Sequence, residues 1–543
     1  MLILGISDSH DASVTLTEDG KALFAVSEER LTRNKMQQGF PFKSLECVQG
    51  FIRDKQIDKV YVAGRFGRAI FRIFNNAYSR SSSRKDVLSF SSRLACWLEN
   101  TIARTPGVRE IDLMLGSWAI KARLKSLRIN YRLIEFGDHH RAHIQTATSG
   151  IKSDYFLAVS LDAYGDGKSG LVIKVKNGKT IKQTEILNKN SLAHFYGCIC
   201  AVLGFKEGEE GKVMALADHG EPTKLEEIFA SLFKVKAKDL KVNNVYRKKR
   251  FLKQIKDYRK EDVAYALQGT VEKVALKFIG NFIAGGQKPD LFLAGGFFSN
   301  IKVNQLFNDC GLFNRVFVFP NMGDGGLSFT AEKLESMYLG PEYSDEYTKG
   351  MLNAKKLVYS EENEIESKIA ALLAQGKVVA RFYGRMEFGP RALGNRSILY
   401  RTDDPTVNDW LNTKLKRTEF MPFAPVTLFE FRNACYKNIL KVEFTTKFMA
   451  VALECTEEMK KKSPGVVHID GTARPQILSQ DDNPGYYKIL KEYYRITGIP
   501  SLLNTSFNMH NEPIVCSLEE AVATFAEAKL DYLAIGKFLL KGH

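Results

Sequence analysis

The sequence predicts an α/β protein of two domains, the first built around one strand-loop-hairpin unit that occurs twice. Residues 2–7 are an apolar strand that runs into the polar loop Ser7-Asp8-Ser9-His10-Asp11 and returns through Ala12–Thr17, an Asp19-Gly20 turn and Ala22–Val26. Residues 156–161 repeat the plan, passing into Asp162-Ala-Tyr-Gly165-Asp166-Gly167, then Gly170–Val175, an Asn177-Gly178 turn and a further strand. Apolar runs broken by Asp-Gly and Asn-Gly are hairpin signals. The pattern matches a duplicated ribonuclease H-like fold of the actin, Hsp70 and sugar-kinase type. The third observation is a change of composition beyond Gly340-Pro341, to a strand over 377–382 and loops rich in Arg and Asn.

Two further elements complete the first domain. Asp290–Gly296 reads as a strand and a Gly-Gly turn before a helix that Ser299 or Asn300 caps, and 316–335 reads as a strand, the loop Pro320-Asn-Met-Gly323-Asp324-Gly325-Gly326 and a helical Phe329–Glu335. Domain bounds follow as 1–340, a linker over 341–356, and 357–543. The chain's 543 residues, 44% hydrophobic and 26% charged, suit two or more packed cores and exclude a disordered, collagen-like or coiled-coil chain. Eight cysteines without a C-x-x-C speak against a disulfide scaffold or structural zinc site and fit a reducing cytoplasm. No apolar run is long enough to span a bilayer, and the N-terminal run lacks the basic leader of a signal peptide.

The net charge of +16 is localised. Residues 65–132 hold 14 basic and 4 acidic residues, and 234–260 hold 12 and 2. Such stretches suit an anionic partner or solvated helical faces, and the spacing of Phe66, Phe71, Phe74, Tyr78, Phe90 and Trp97 fits a helix buried on one side. No nucleic-acid partner is expected from them.

Two constellations carry chemistry. His139 and His143, four residues apart after Asp138, share one face of a helix and could grip one ion, with Asp162 and Asp324 at strand ends supplying carboxylates. That donor set suits iron, manganese or zinc better than calcium. The same histidines are compatible with a capped surface helix, and His140 with His143 fits an i, i+3 pair. The second constellation lies in Gly384–Ser397, Leu415–Pro425, His468–Arg474 and Leu503–Asn508. Arginines on glycine-shaped loops are bidentate traps for phosphate, so four such loops favour a polyanionic small molecule such as ATP or an acyl phosphate.

These strings, with Gly5-Ile6-Ser7, His10-Asp11-Ala12-Ser13, Ser27-Glu28-Glu29-Arg30, Gly211-Lys212-Val-Met214 and Gly323-Asp324-Gly325, closely resemble the O-carbamoyltransferase family of nodulation-factor, cephamycin and aminoglycoside biosynthesis (NodU/CmcH type) over essentially the whole chain. The resemblance implies a threonylcarbamoyltransferase-like first domain and a YrdC-like second domain. The second would join carbamoyl phosphate to ATP, with Mg2+, giving carbamoyl-adenylate; the first would pass the carbamoyl group to the hydroxyl of a sugar or secondary metabolite.

By matching motifs, His139, His143, Asp162 and Asp324 would hold Fe2+ or another divalent transition metal, and His10 would sit at the acceptor as base or orienting group. Lys212, Gly295, Gly296, Asn300 and Gly323 would cradle the nucleotide. Arg385, Arg391, Lys416, Arg417, His468, Arg474, Asn504, Ser506 and Asn508 would form the carbamoyl phosphate and ATP site. Thr418 and Met421 depart from the arginines many relatives carry there, which bears on Lys416 and Arg417. A homodimer is compatible with the resemblance. Competing readings are tRNA threonylcarbamoyl transfer, which uses the same metal fold but usually lacks a fused second domain, a non-catalytic adenylate-binding module, and a sugar kinase.

Overall fold

A computed structural model describes all residues except 53–54, 67, 74–100, 104, 284–285, 418–421 and 543. The chain forms two compact units, Met1–Glu335 and Ser336–His543. Of the aromatics in the first basic stretch, Phe74, Tyr78, Phe90 and Trp97 lie outside the described residues, as do Thr418 and Met421.

The first unit holds the same sheet twice. Strands β1 (Leu2–Ser7), β2 (Ser13–Glu18), β3 (Lys21–Ser27), β4 (Ile57–Ala63) and β5 (Tyr131–Gly137) line up in the order β3-β2-β1-β4-β5. The β1-β2 and β2-β3 pairs are antiparallel; β1-β4 and β4-β5 are parallel. Strands β6 (Tyr155–Gly165), β7 (Lys168–Lys176) and β8 (Lys179–Leu187) come next, then an outlying hairpin β9 (Phe233–Lys236) and β10 (Asp239–Val242), then β11 (Asp290–Ala294) and β12 (Val316–Val318). The second sheet has the order β12-β11-β6-β7-β8 with the same directions as the first. Read from its own first strand, each sheet is therefore 3-2-1-4-5, and the duplicated ribonuclease H-like fold is as expected. β1 and β11 are almost wholly buried, which explains why they read as continuous apolar runs. β1 packs within a core that includes Leu4, Ile6, Val14, Phe24, Val60 and Ile120.

Two local expectations change. Phe329–Glu335 is not a helix: its backbone donates to other segments, Glu332 N–H to the Gly20 carbonyl and Leu334 N–H to the Ser149 carbonyl, both at 2.9 Å, and hydroxyls at 328 and 330 tie the chain to the first sheet. Ser328 Oγ lies 2.8 Å from Ser13 Oγ and 3.0 Å from Thr15 Oγ1, and Thr330 Oγ1 lies 2.8 Å from Thr17 Oγ1. Residues 341–356, read as a linker, contain the helix Asp345–Ala354, which begins where Ser344 accepts from the Tyr347 N–H and acidic residues fill the first turn.

The second unit is α/β, with an eight-stranded mixed sheet that includes β13 (Val379–Phe382), β14 (Arg396–Arg401), β15 (Ala424–Leu428), β16 (Gln476–Leu478) and β17 (Ser501–Ser506), successive neighbours in the order β13-β14-β17-β15-β16. The helices Ile365–Ala374 and Pro484–Thr497 pack on it through Ile369, Leu373, Ile489 and Leu490. No described helix is long and apolar enough to cross a membrane.

Candidate functional site

The helix His139–Thr148 starts directly after β5. Asp138 caps it by accepting from the Arg141 N–H at 3.0 Å, and Lys168 Nζ holds the other Asp138 oxygen at 3.0 Å. The cap aims His139 and His143 at Asp162, inside β6, and at Asp324, in the loop that follows β12. Asp162 Oδ2 accepts from the Gly296 N–H at 3.2 Å, and Asp324 accepts from Ser9 Oγ of the first loop. Four donor atoms of His139, His143, Asp162 and Asp324 converge to within 4.8 Å of one another. His143 Nε2 lies 3.3 Å from Asp162 Oδ2 and 3.6 Å from Asp324 Oδ1; His139 Nε2 lies 3.9 and 3.6 Å from the same atoms.

These residues fit a transition-metal ion. All four ring nitrogens of the two histidines are buried with no hydrogen-bonding partner, a state native proteins rarely leave unused. Ligands held about 2.0–2.2 Å from an ion stand roughly 3–3.5 Å apart, close to the separations here. Two imidazoles with two carboxylates favour iron, manganese or zinc. Burial disfavours charge on His143, yet the two carboxylates outweigh it and push it up to about 9. For Asp162, burial is outweighed by His139 and His143, which hold it well below the usual carboxylate range. His140 is not part of the set: its Nδ1 lies 2.8 Å from Ser160 Oγ, and burial with the neighbouring imidazoles pushes it down to about 3.

The sequence marked Gly165 and Asp166 only as loop residues and Gly295 as a nucleotide contact, not as the residues that make room for this cluster. Gly165 lies under His139, where a Cβ would fall 2.3 Å from the imidazole ring. Gly295 turns at φ +103°, and a Cβ there would meet the Leu161 carbonyl oxygen at 2.1 Å. Asp166 accepts from the N–H groups of His139, Arg65 and Phe66 at 2.8–3.0 Å, tying the helix start to β4's outgoing loop. Gly165→Ala is expected to displace His139 and cost about 1–3 kcal/mol of stability, as overpacked cores do. Urea melts of the two proteins check this.

The other assignments from the first unit divide. His10 stands near the cluster, its imidazole 39% exposed. Burial works against its protonation, but Glu207, Asp324 and Asp11 outweigh it and hold it above the usual value. Lys212 Nζ bonds Glu209 Oε1 at 2.9 Å. Asn300 caps Ile301–Asp309 through the Val303 N–H at 3.1 Å and exchanges paired amide bonds with Gln268 at 2.8 and 3.1 Å, so its side chain is structurally engaged. Gly323 is open above its α-carbon, with nothing within 4 Å of a Cβ built there. Part of the basic stretch also serves this loop. Arg72 Nε and Arg68 Nη1 grip buried Asp8 at 2.7 and 3.3 Å.

In the second unit the carboxylate of Glu387 organises the arginine loop, its Oε1 accepting from Leu393, Asn395 and Arg396 N–H at 2.7, 2.8 and 3.3 Å. Asn504 Nδ2 donates to the Ala392 carbonyl at 3.1 Å and to Gln476 Oε1 at 2.8 Å, leaving its own Oδ1 buried and unpartnered. Arg391 on this loop has a buried Nε with no partner, and among the described residues no carboxylate pairs with it or with Arg474. Burial pushes Arg391 down to about 10; burial and then the Arg391 charge hold Arg474 well below its usual range. The Arg391 charge acts on Arg474, so two guanidiniums stand near one another without a carboxylate partner, a combination suited to an anion.

The remaining cations differ. Arg417 Nη1 donates to Thr505 Oγ1 at 2.9 Å, and its Nη2 lies 3.3 Å from Ser506 Oγ and 3.5 Å from Asn508 Oδ1, so those three residues are brought together. Arg385 donates to the Leu339 carbonyl at 2.6 Å, Lys416 forms an exposed pair with Glu527 at 2.8 Å, and His468 Nδ1 lies 3.0 Å from Thr472 Oγ1.

Comparison with known proteins agrees with this division. Residues 2–332 match the family model Carbamoyltransferase N-terminus, and residues 370–541 match Carbamoyltransferase C-terminus. The chain is 32% identical to the uncharacterized protein MJ1051 of Methanocaldococcus jannaschii, covering 99% of each. It is 30% identical to the nodulation protein NolNO of Sinorhizobium fredii, covering 98% of this chain and 79% of that one. Among solved structures, T. kodakarensis HypF aligns at 12% identity and a TM-score of 0.33, over 60% of this chain and 46% of that one. The two matched models fall in the two compact units, and the chain belongs to the carbamoyltransferase family of enzymes.

Proposed function

We propose that the chain is an ATP-dependent O-carbamoyltransferase working in two steps. In the second unit, carbamoyl phosphate, ATP and one water give carbamoyl-adenylate, phosphate and pyrophosphate. In the first unit the carbamoyl group passes to the hydroxyl of a small molecule, a sugar or natural product, and AMP leaves. The observation that carries this reading is the occurrence of a buried donor cluster in one unit and a carboxylate-free guanidinium pair in the other. Arg391 and Arg474 would take the phosphate of carbamoyl phosphate, Asn504 its amide, and Arg417 with Ser506 and Asn508 the nucleotide phosphates, which enter with Mg2+. His139, His143, Asp162 and Asp324 would hold Fe2+ or a similar ion. Such an ion supplies Lewis acidity where negative charge develops on the leaving phosphate. Gly323 and the backbone of Gly295 and Gly296 would face the nucleotide, with Lys212 as a nearby cation.

His10 would take the acceptor's proton. A hydroxyl is a weak nucleophile, and a positioned imidazole contributes about 10²–10⁴-fold to such a step. His10→Asn is therefore expected to leave pyrophosphate release within about twofold while lowering carbamoylated product at least about 100-fold. Carbamoyl transfer at the wild-type rate would remove His10 from the reaction. A screen of sugars and hydroxylated metabolites for AMP release, confirmed by a carbamoyl mass increment, identifies the acceptor.

A further inference from the structure

His10 is held from one side only. Its Nδ1 lies 2.6 Å from the side-chain amide nitrogen of Gln38 and 3.9 Å from Glu207 Oε1, while no described residue bonds its Nε2. The two loops that supply these neighbours are fixed. The Ala12 N–H donates to the Gln37 carbonyl at 2.8 Å, the Gly39 N–H to the Ser9 carbonyl at 3.3 Å, and the Met36 N–H to Glu29 Oε2 at 2.7 Å. The Glu207 loop is closed by Glu209, which accepts from the Lys206 N–H at 2.8 Å and pairs with Lys212 at 2.9 Å. Gly208, at φ +82°, lets this loop press on the first: a Cβ there would fall 2.5 Å from Met36 Sδ. The remaining charges around His10 are Asp11, Asp324 and Arg68. Asp324 is committed to the donor cluster and Ser9, and Arg68 to Asp8.

We propose that Glu207 is the positioning residue of His10: it keeps the imidazole proton on Nδ1, turned toward its carboxylate, and so presents a bare Nε2 to the acceptor hydroxyl. Gln38 fixes the ring plane with its side-chain amide turned over, so that the oxygen, in place of the nitrogen that lies 2.6 Å away, accepts from the same Nδ1–H. This rests on the reading of His10 as proton acceptor. In the step, the acceptor O–H bond breaks and its proton moves to Nε2 while the oxygen bonds the carbamoyl carbon. The bond from that carbon to the AMP phosphate oxygen breaks, and its electron pair leaves with AMP. Glu207 offsets the imidazolium charge that forms. A carboxylate behind the ring sets the tautomer in this way in other imidazole bases.

The full chain labelled with ¹⁵N-histidine tests this without any ligand. The His10 nitrogen signals are those absent from His10→Asn. Above the His10 titration midpoint, the wild type is expected to show His10 mainly as the Nδ1–H form. Glu207→Gln should lower the ratio of Nδ1–H to Nε2–H at least threefold, and Glu207→Asp should restore part of it, the other eight histidine signals reporting an intact fold. A wild-type His10 in the Nε2–H form, or a ratio unmoved by Glu207→Gln, overturns the proposal. Transfer by His10→Asn at the normal rate would instead defeat the base reading, so the two failures are distinct.

Discussion

In His139→Ala protein, bound iron is expected to fall to a small fraction of the wild-type content and carbamoyl transfer to drop at least about 100-fold, since even outer-shell changes at metal sites cost 10–100-fold. Pyrophosphate release by the second unit should stay within about twofold. Metal analysis of the purified protein, with the two partial reactions assayed separately, checks all three quantities. Unchanged metal content would sink the ligand assignment. The same cluster predicts a pH dependence. Burial lowers and the two carboxylates raise His143, to about 9 in the metal-free site, so an entering ion displaces a proton. Apparent metal affinity should rise with pH up to about 9 and then level. The sign for stability is opposite: a raised imidazole stabilises the metal-free fold fully below its unfolded value, and this is lost as pH rises through about 9. Metal-loaded protein should not show that loss.

Arg474→Ala is expected to lower pyrophosphate release at least about 100-fold, the scale of two charge-assisted bonds to one anion. Arg391→Ala should act similarly, and Arg474→Lys should rescue little, because an ammonium cannot make the bidentate contact. A structural arginine would behave otherwise. Neither guanidinium has a carboxylate partner among the described residues, and each is a half-buried charge near the other. Removing one should therefore leave Tm in phosphate-free buffer unchanged or raise it. A Tm lowered by several degrees, or a normal adenylation rate, would take Arg474 out of the site.

Most of the scaffold was legible because it depends on period and turn chemistry. The Asp-Gly and Asn-Gly hairpins fix the 3-2-1 half of each sheet, whereas β4 and β5 were not read from the sequence and the parallel pairings of positions 4 and 5 are made by distant segments. The His139 and His143 spacing was equally plain, since four residues on a helix place both rings on one face. Tertiary neighbours decided the rest. Asn300 could cap or bind, and Gln268 together with the Val303 N–H takes its amide. Arg385 and Lys416 stand in the expected strings, and the neighbours they have here, the Leu339 carbonyl and Glu527, are ones that no spacing in the sequence announces. Phe329–Glu335 had helical composition, and the backbone bonds of Glu332 and Leu334 to other segments, with the hydroxyl contacts of Ser328 and Thr330 with β2, hold the chain out of a helix. Glu207 and Gln38 were invisible because no spacing links position 10 to 38 or 207.

The two units are expected to divide one reaction, activation in the second and transfer in the first. Purified protein incubated with ATP and carbamoyl phosphate, with no acceptor, should release pyrophosphate and make no ADP. Omitting carbamoyl phosphate should abolish that release. ADP formation, or pyrophosphate release independent of carbamoyl phosphate, would contradict the account.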